Sequence, residues 1–388
     1  MPIRNRLAEM HDDITAWRHN FHMHPELLYD THRTSGIVAD KLHAFGCDEV
    51  VTGIGRTGVV GLIHGKTNTS GRTIGLRADM DALPMTEATG ADHASTVPGK
   101  MHACGHDGHT AMLLGAAQYL SETRNFDGTV AVIFQPAEEG GAGALAMVED
   151  GLIDRFGISE VYGMHNSPLL PEGAFAIRSG PFYAACDIFE ITVTGKGGHG
   201  ARPNNVIDTT LAASALVMNL QSVVSRNTDP QQAAVVSVTS FRTESEAFNV
   251  IPETVTLRGT VRSFDAAVRK NIEARLKSIA ALTAETYGAT AEVDWPENGY
   301  PIMSNHPAET DFAAMAAQSV AGDCDTQAPR TTGGEDFAYM LQACPGAYIQ
   351  IGNGPSKGLH HPEYDFNDAI IPTGASYWVT LAEQRLPA

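Results

Sequence analysis

His102, Cys104, His106 and His109 fall within one short segment, M-H-A-C-G-H-D-G-H-T, beside Asp107 and two glycines. Imidazole nitrogen, thiolate sulfur and carboxylate oxygen are the donors that bind Zn²⁺ and its first-row neighbours, and glycine lets a backbone close around an ion. A solvated histidine-rich turn is the plain alternative for this segment by itself. Further on, Glu138 and Glu139 follow the apolar run V-A-V-I-F, between Pro136 and the glycines at 140, 141 and 143. Two adjacent carboxylates repel, so a metal between them would offset the repulsion, with one ligating and the other free to act as a base. A solvated acidic turn opening a helix accounts for them equally well. Asp79-Met80-Asp81 presents two carboxylates on one face of an extended strand, able to bind a metal directly, to orient a ligating histidine from behind or to pair with Arg77, of which support behind a ligand is the favoured reading. His165 before Asn166-Ser167-Pro168, and His360-His361 before Pro362, persuade of nothing singly.

Elements are needed to bring such distant groups together. Hydrophobic spacing predicts helices over 4–20 and 34–45, and another through Met112, Leu113, Ala116, Ala117 and Leu120, with Asp107 near its start as a possible cap. Strands are predicted over 58–64, 73–78, 129–135 and 160–164, and a helix over 143–150. Asp79, Asp81, the glutamate pair and His165 each follow the carboxyl end of an apolar strand, where open α/β sheets bind ligands. From about 184 the rhythm changes to strand 187–194, helix 206–225, strands 233–241 and 254–263, helix 265–287 and strand 289–294. That β-α-β-β-α-β order is the ferredoxin-like split unit. A strand over 346–351 and a helix over 370–385 then resume the first style. The expected architecture is α/β with two domains: an open-sheet domain over 1–183 and 295–388, discontinuous in sequence, and an inserted ferredoxin-like α+β domain over 184–294.

Bulk properties agree with a folded enzyme-sized chain. At 388 residues, two domains are the natural expectation, and 43% apolar with 18% charged residues describes a globular protein. A formal charge of −19 with scattered basic residues excludes the electrostatic footprint of a nucleic-acid binder. Neither a signal peptide nor a stretch of 18 apolar residues is present, so a cytoplasmic protein without a membrane partner is expected. Cys47, Cys104, Cys186, Cys324 and Cys344 are odd in number and far apart, unlike a disulfide framework.

Two glycine motifs point elsewhere and fail on context. Gly53-x-Gly55-x-x-Gly58 is followed by an extended run where a dinucleotide fold requires a helix. Gly195-x-Gly197-x-x-Gly200 follows a strand, yet Pro203 and Asn204-Asn205 delay the next helix beyond reach of a pyrophosphate.

The motifs M-H-A-C-G-H-D-G-H, Q-P-A-E-E-G, G-M-H-N, G-K-G-G-H-G-A-R-P, N-V-I-P-E, G-G-E-D-F and L-H-H-P-E-Y-D-F-N-D occur in this order. Together they resemble the amidohydrolase branch of the aminoacylase and carboxypeptidase-G-like metallopeptidases, which includes hippurate hydrolases and plant auxin-conjugate hydrolases. The resemblance runs from R-H-N-F-H-M-H-P-E at 18–26 to near the end. It implies two divalent metal ions per subunit, with Cys104 bridging as thiolate, His106 and His165 completing one ion's set, and Glu139 and His360 the other's. Zn²⁺, Mn²⁺, Co²⁺ and Ni²⁺ all accept such ligands. It further implies Glu138 as general base, His199 as an electrophile reaching the partner subunit's site in a homodimer, and Asn249 and Arg262 as substrate-binding positions. His102 and His109 then become structural. Where most of the wider family has histidine, Asp79 stands here, a change that the amidohydrolase branch shares. His361 replaces the usual small residue after the ligand histidine. The implied activity is hydrolysis of N-acyl amino acids; a dipeptidase or carboxypeptidase with the same metals is the alternative, and a metal- or redox-sensing protein built around Cys104 is the reading outside catalysis.

Overall fold

The computed structural model describes residues 5–296 and 299–388. Arg4, where the first helix is expected to begin, lies outside them. The chain is a mixed α/β protein of two compact units: Met1–Gly180, Ser304–Pro329 and Asp336–Ala388 form the first, Pro181–Met303 and Arg330–Glu335 the second.

The described residues of the first unit build a seven-stranded sheet from β1 (Glu49–Ile54), β2 (Gly58–His64), β3 (Thr73–Asp79), β4 (Thr129–Gln135), β5 (Ile158–Ser167), β6 (Phe175–Ala176) and the strand Gly346–Gly352. Their spatial order is β1-β2-β4-β3-β5, then 346–352, then β6. β3, β4, β5 and 346–352 run parallel, so their carboxyl ends lie along one side of the sheet. Every residue of β3 and β4 is buried, as strands covered on both faces must be; V-A-V-I-F in β4 is an unbroken apolar run, whereas β3 also buries Arg77 and Asp79 near its carboxyl end.

Helices α1 (Asn5–Glu9), α2 (His11–His22), α3 (His32–Phe45), α4 (His106–Thr123) and α5 (Gly143–Glu149) accompany this sheet. Met10 separates two helices where one is expected over 4–20. α4 packs against β3, α2, α3 and the helix Ile371–Arg385, and from His106 to Ala117 no residue of it reaches solvent appreciably. Its run A-M-L-L-G-A-A is apolar on every side, as a helix buried all round requires, while the first turn buries His106, Asp107, His109 and Thr110. Asp107 does not cap it: Gly105 occupies the cap position in the left-handed region at φ 92°, without a side-chain cap bond. The strand Glu49–Ile54 and the helices Pro307–Ala321 and Ala338–Ala343 lack the strong periodicity that would mark them in the sequence.

In the second unit, strands Ala185–Thr194, Ala234–Thr243, Thr254–Ser263 and Thr290–Asp294 pair antiparallel in the spatial order 234–243, 254–263, 185–194, 290–294. Helices Thr209–Asn227 and Ala266–Thr286 interleave with them along the chain. Burial alternates residue by residue along Ala185–Thr194, because an antiparallel sheet can cover only one face. Ile191, Val193, Leu257 and Val261 meet Leu216, Leu220, Ile272 and Leu276 in its core. Asp208 and Asp265 cap the two helices through bonds from Leu211 N–H and from Ala267 and Val268 N–H.

Neither glycine motif holds a dinucleotide frame. Gly53 and Gly55 shape the turn of the antiparallel β1–β2 pair with φ of 84° and 57°, and Gly198–His199 is a short strand against Val250–Ile251, well before the helix at Thr209. Among the described residues no helix is long and apolar enough to cross a membrane, and all five cysteines are free thiols.

Candidate functional site

At the carboxyl ends of the parallel strands, the first unit collects Cys104, His106, Glu138, Glu139, His165 and His360. Potential ligand atoms of Cys104, His106 and His165 lie within 4.8 Å of one another, as do those of Cys104, Glu139 and His360, and those of His106, Glu138 and Glu139. Cys104 is common to the first two sets, so the arrangement can hold two neighbouring cations around one sulfur. Asp79, His106 and His109 form a further set, but Asp79 Oδ1 is already engaged by His109 Nδ1 at 2.6 Å.

The backbone explains the aim of each group. Gly105 must be glycine twice over: its φ is 92°, and a Cβ there would stand 2.4 Å from Asn166 Oδ1 and 2.8 Å from the Tyr364 hydroxyl. The sharp turn it permits delivers Cys104 and His106 to the same space. His106 Nδ1 donates to Asp81 O at 2.8 Å, which fixes the tautomer and turns Nε2 toward the cluster. His165 is likewise oriented by its Nδ1 bond to Asn166 O at 2.7 Å, and its Nε2 lies 3.4 Å from Cys104 Sγ. After β4, Ala137 turns the chain at φ 56°. The two carboxylate oxygens of Asp81 then accept the Glu138 and Glu139 N–H groups at 2.9 and 3.0 Å. Asp79 and Asp81 therefore stand behind the cluster as expected, one on Arg77 and His109, the other beneath the glutamate pair.

The electrostatics are those of a cation site. Burial pushes the Cys104 thiol well above its ordinary range, and the carboxylates of Glu139, Glu138 and Asp79 push it further; a bound cation reverses both effects and makes the thiolate the stable form. Burial disfavours charge on His106, yet the carboxylates of Asp79 and Asp81 outweigh it and raise the group to about 10. Burial and then His109 lower His165 well below its usual value, leaving a neutral donor ring. Against burial, His360 and His106 lower Glu139. Among the described residues, His106 Nε2 and Glu139 Oε1 are buried without a hydrogen-bond partner, although His360 Nε2 approaches Glu139 Oε1 to 3.3 Å. Two buried atoms of ligand type without hydrogen-bond partners, 4.0 Å apart, fit a metal centre and are otherwise costly.

His199, Asn249 and Arg262 belong to the second unit. The first two are exposed neighbours, since Val250 pairs with His199 and Gly200 N–H donates to Asn249 O at 2.8 Å. Arg262 donates from Nε to Thr332 O at 3.0 Å and from Nη1 to Val261 O at 2.9 Å. His109 is clamped between Asp79 and Asn166, and His102 is buried and held neutral, its pKa pushed down to about 3 by burial.

Sequence reasoning assigned no role to Arg18, His22, Asn166 or Tyr364, all buried around the cluster. A signal for the first two was present: Arg18 and His22 are four apart on one helix and therefore share a face.

The model of the peptidase family M20/M25/M40 matches residues 75–384. Among similar proteins is a hippurate hydrolase of Campylobacter jejuni, 40% identical over 98% of each chain. A thermostable carboxypeptidase of Saccharolobus solfataricus is 39% identical over 98% of this chain and 97% of its own. Among solved structures, the YXEP protein of Bacillus subtilis, a dinuclear metal binding peptidase, superposes with a TM-score of 0.84 at 34% identity, covering 98% of this chain and 99% of that one.

Proposed function

Because the chain belongs to the M20/M25/M40 peptidase family, we propose that it is a metal-dependent amidohydrolase that hydrolyses N-acyl amino acids, hippurate among them, to a carboxylic acid and an amino acid. The observation that carries this reading is a pair of buried ligand-type atoms without hydrogen-bond partners among the described residues, His106 Nε2 and Glu139 Oε1, inside a cluster whose other donors are Cys104, His165 and His360. Cys104, His106 and His165 would hold one ion, and Cys104, Glu139 and His360 the other.

Two bound divalent ions supply Lewis acidity, polarising an amide carbonyl and making water acidic enough to lose a proton near neutral pH. The protein's own groups do the rest. Glu138, buried and oriented through its backbone bond to Asp81, takes the proton of the attacking water and passes it to the amine nitrogen as the C–N bond breaks. The hydroxyl stays on the acyl carbon, so water is added across the amide and nothing else is consumed. General catalysis of this kind contributes roughly 10²–10⁴-fold. His199 donates to the oxyanion, a contact worth about 2.7–4 kcal/mol in comparable sites, while Asn249 and Arg262 hold the substrate's carboxylate end.

The second unit is read as a ferredoxin-like dimerisation and lid domain, the rest of the chain as the catalytic domain. Ala234–Thr243 is an outer strand of its sheet, and edge pairing across a two-fold axis would let His199 serve the partner subunit. Dilution to monomer should then remove activity; a monomer with full specific activity refutes the trans arrangement. A peptidase specificity is the second reading, favoured by the carboxypeptidase relative. Turnover of N-acyl amino acids and dipeptides by metal-stripped and reconstituted enzyme separates the two. Activity indifferent to chelation refutes both.

A further inference from the structure

We propose that Arg18 is a positioning residue that ties the loop carrying Cys104 and His106 to the segment carrying His360, and thereby sets the spacing of the metal ligands. The inference rests on the two-ion reading above. It starts from the segment 353–367, which contains neither helix nor strand although it must hold His360 in place. His360 itself sits at φ 63° with its side chain about half exposed, 54%. Its position is set by what grips the segment on either side.

Arg18 supplies the central grip. Its side chain is fully buried, and its fork takes Asp368 two-pronged, Nε to Oδ1 at 2.8 Å and Nη2 to Oδ2 at 2.9 Å. Nη1 reaches Asp365 Oδ1 at 3.0 Å and Asp107 Oδ2 at 3.5 Å. Asp107 directly follows His106; Asp365 and Asp368 follow His360. One planar cation thus joins both ligand-bearing segments, and a planar fork fixes angles as well as distances. His93 Nε2 at 3.0 Å from Asp365 and His19 Nε2 at 2.8 Å from Asp368 brace the outer carboxylates. At the other end, His360 N–H donates to Ala103 O at 2.8 Å, next to Cys104.

A buried ion network is weak evidence for stability, and its best-attested use is to specify one arrangement over others. Here the arrangement specified is the distance from Cys104 and His106 to His360. Loosening the carboxyl-terminal half of the tie should therefore weaken the ion that uses His360 and spare the other.

The test is a Co²⁺ titration of the metal-stripped full chain, followed by calorimetry and by the thiolate-to-cobalt absorption. The His360→Ala variant marks the step that belongs to the His360 ion. Asp365→Asn/Asp368→Asn, both partly exposed positions, and Arg18→Lys, which keeps the charge and loses the fork, are compared by the same titration, with thermal unfolding to establish that they fold. The expected result is two ions in the wild type, and in the variants a His360 step weakened about 10–100-fold, the scale of lost support behind a metal ligand, with the other step within about threefold. Both steps unchanged within that margin, or both weakened in parallel, overturns the proposal. If Arg18→Lys does not fold, the double asparagine variant decides alone. A wild type that binds fewer than two ions overturns the functional reading and this inference with it.

Discussion

Replacing His22 by Gln should flatten the pH dependence of stability in a predictable window. The His22 ring is fully buried, with Nδ1 2.8 Å from Asp107 Oδ2 and Nε2 3.3 Å from Glu87 Oε1. Burial disfavours its charge, and Arg18 opposes it too, but the two carboxylates prevail and raise it from 6.5 to about 9. The folded protein thus binds this proton more tightly than the unfolded chain does. That difference is worth on the order of 3 kcal/mol. The contribution is fully present below pH 6.5 and is lost as pH rises through about 9. Urea unfolding of wild type and His22→Gln at matched metal content, from about pH 6 to about pH 9.5, cancels the titrations the two proteins share. The stability gap between them should shrink by about 3 kcal/mol across that range. A gap constant within about 0.5 kcal/mol, or one that widens toward high pH, would refute the assignment of His22 as a buried imidazolium.

Glu138→Gln should lower kcat by roughly 10²–10⁴-fold with metal content and melting temperature unchanged; equal turnover at saturating metal removes Glu138 as the base. Gly105→Ala adds a Cβ 2.4 Å from Asn166 Oδ1 at φ 92°, and the combined backbone and packing cost should reach about 2–5 kcal/mol in urea unfolding; a loss under about 1 kcal/mol contradicts the turn geometry. Asp81→Asn leaves one oxygen for two N–H donors, so about 1–3 kcal/mol of stability should go, together with a drop in kcat that a purely structural Asp81 would not cause.

The α/β character was legible because burial on both faces leaves a direct trace: V-A-V-I-F and I-G-L are strand segments with no polar side to show. The antiparallel unit was legible for the opposite reason, its strands alternating as one-sided sheets do. Residue type alone singled out the cluster at 102–109 and the glutamate pair; His165 and His360 entered only through the resemblance of the motifs, and the structure brings their ligand atoms near those of Cys104, His106 and Glu139. What the sequence concealed was whatever depends on partners far along the chain. Asp107 near the start of α4 looks like a cap, yet its carboxylate is turned to His22 and Arg18, 85 and 89 positions away. Pro307–Ala321 was missed because its face is mostly alanine, giving too little contrast for periodicity to register. Tyr364 and Asn166 carried no chemical signature until Gly105 brought the backbone against both.

The strand order of the first unit bears on how the chain is made. The strand Gly346–Gly352 lies between β5 and β6, although β6 ends at Ala176. During synthesis, at about 5–20 residues per second, roughly 9–35 seconds separate the appearance of β6 from that of its neighbour. Throughout that interval β5 keeps one edge unpaired, with open N–H and C=O groups that invite another strand. The interrupting residues 181–303 contain a whole four-stranded sheet with its own core, which can form first. The central sheet therefore closes late, and a nascent chain stalled short of residue 346 is the species most exposed to misassembly.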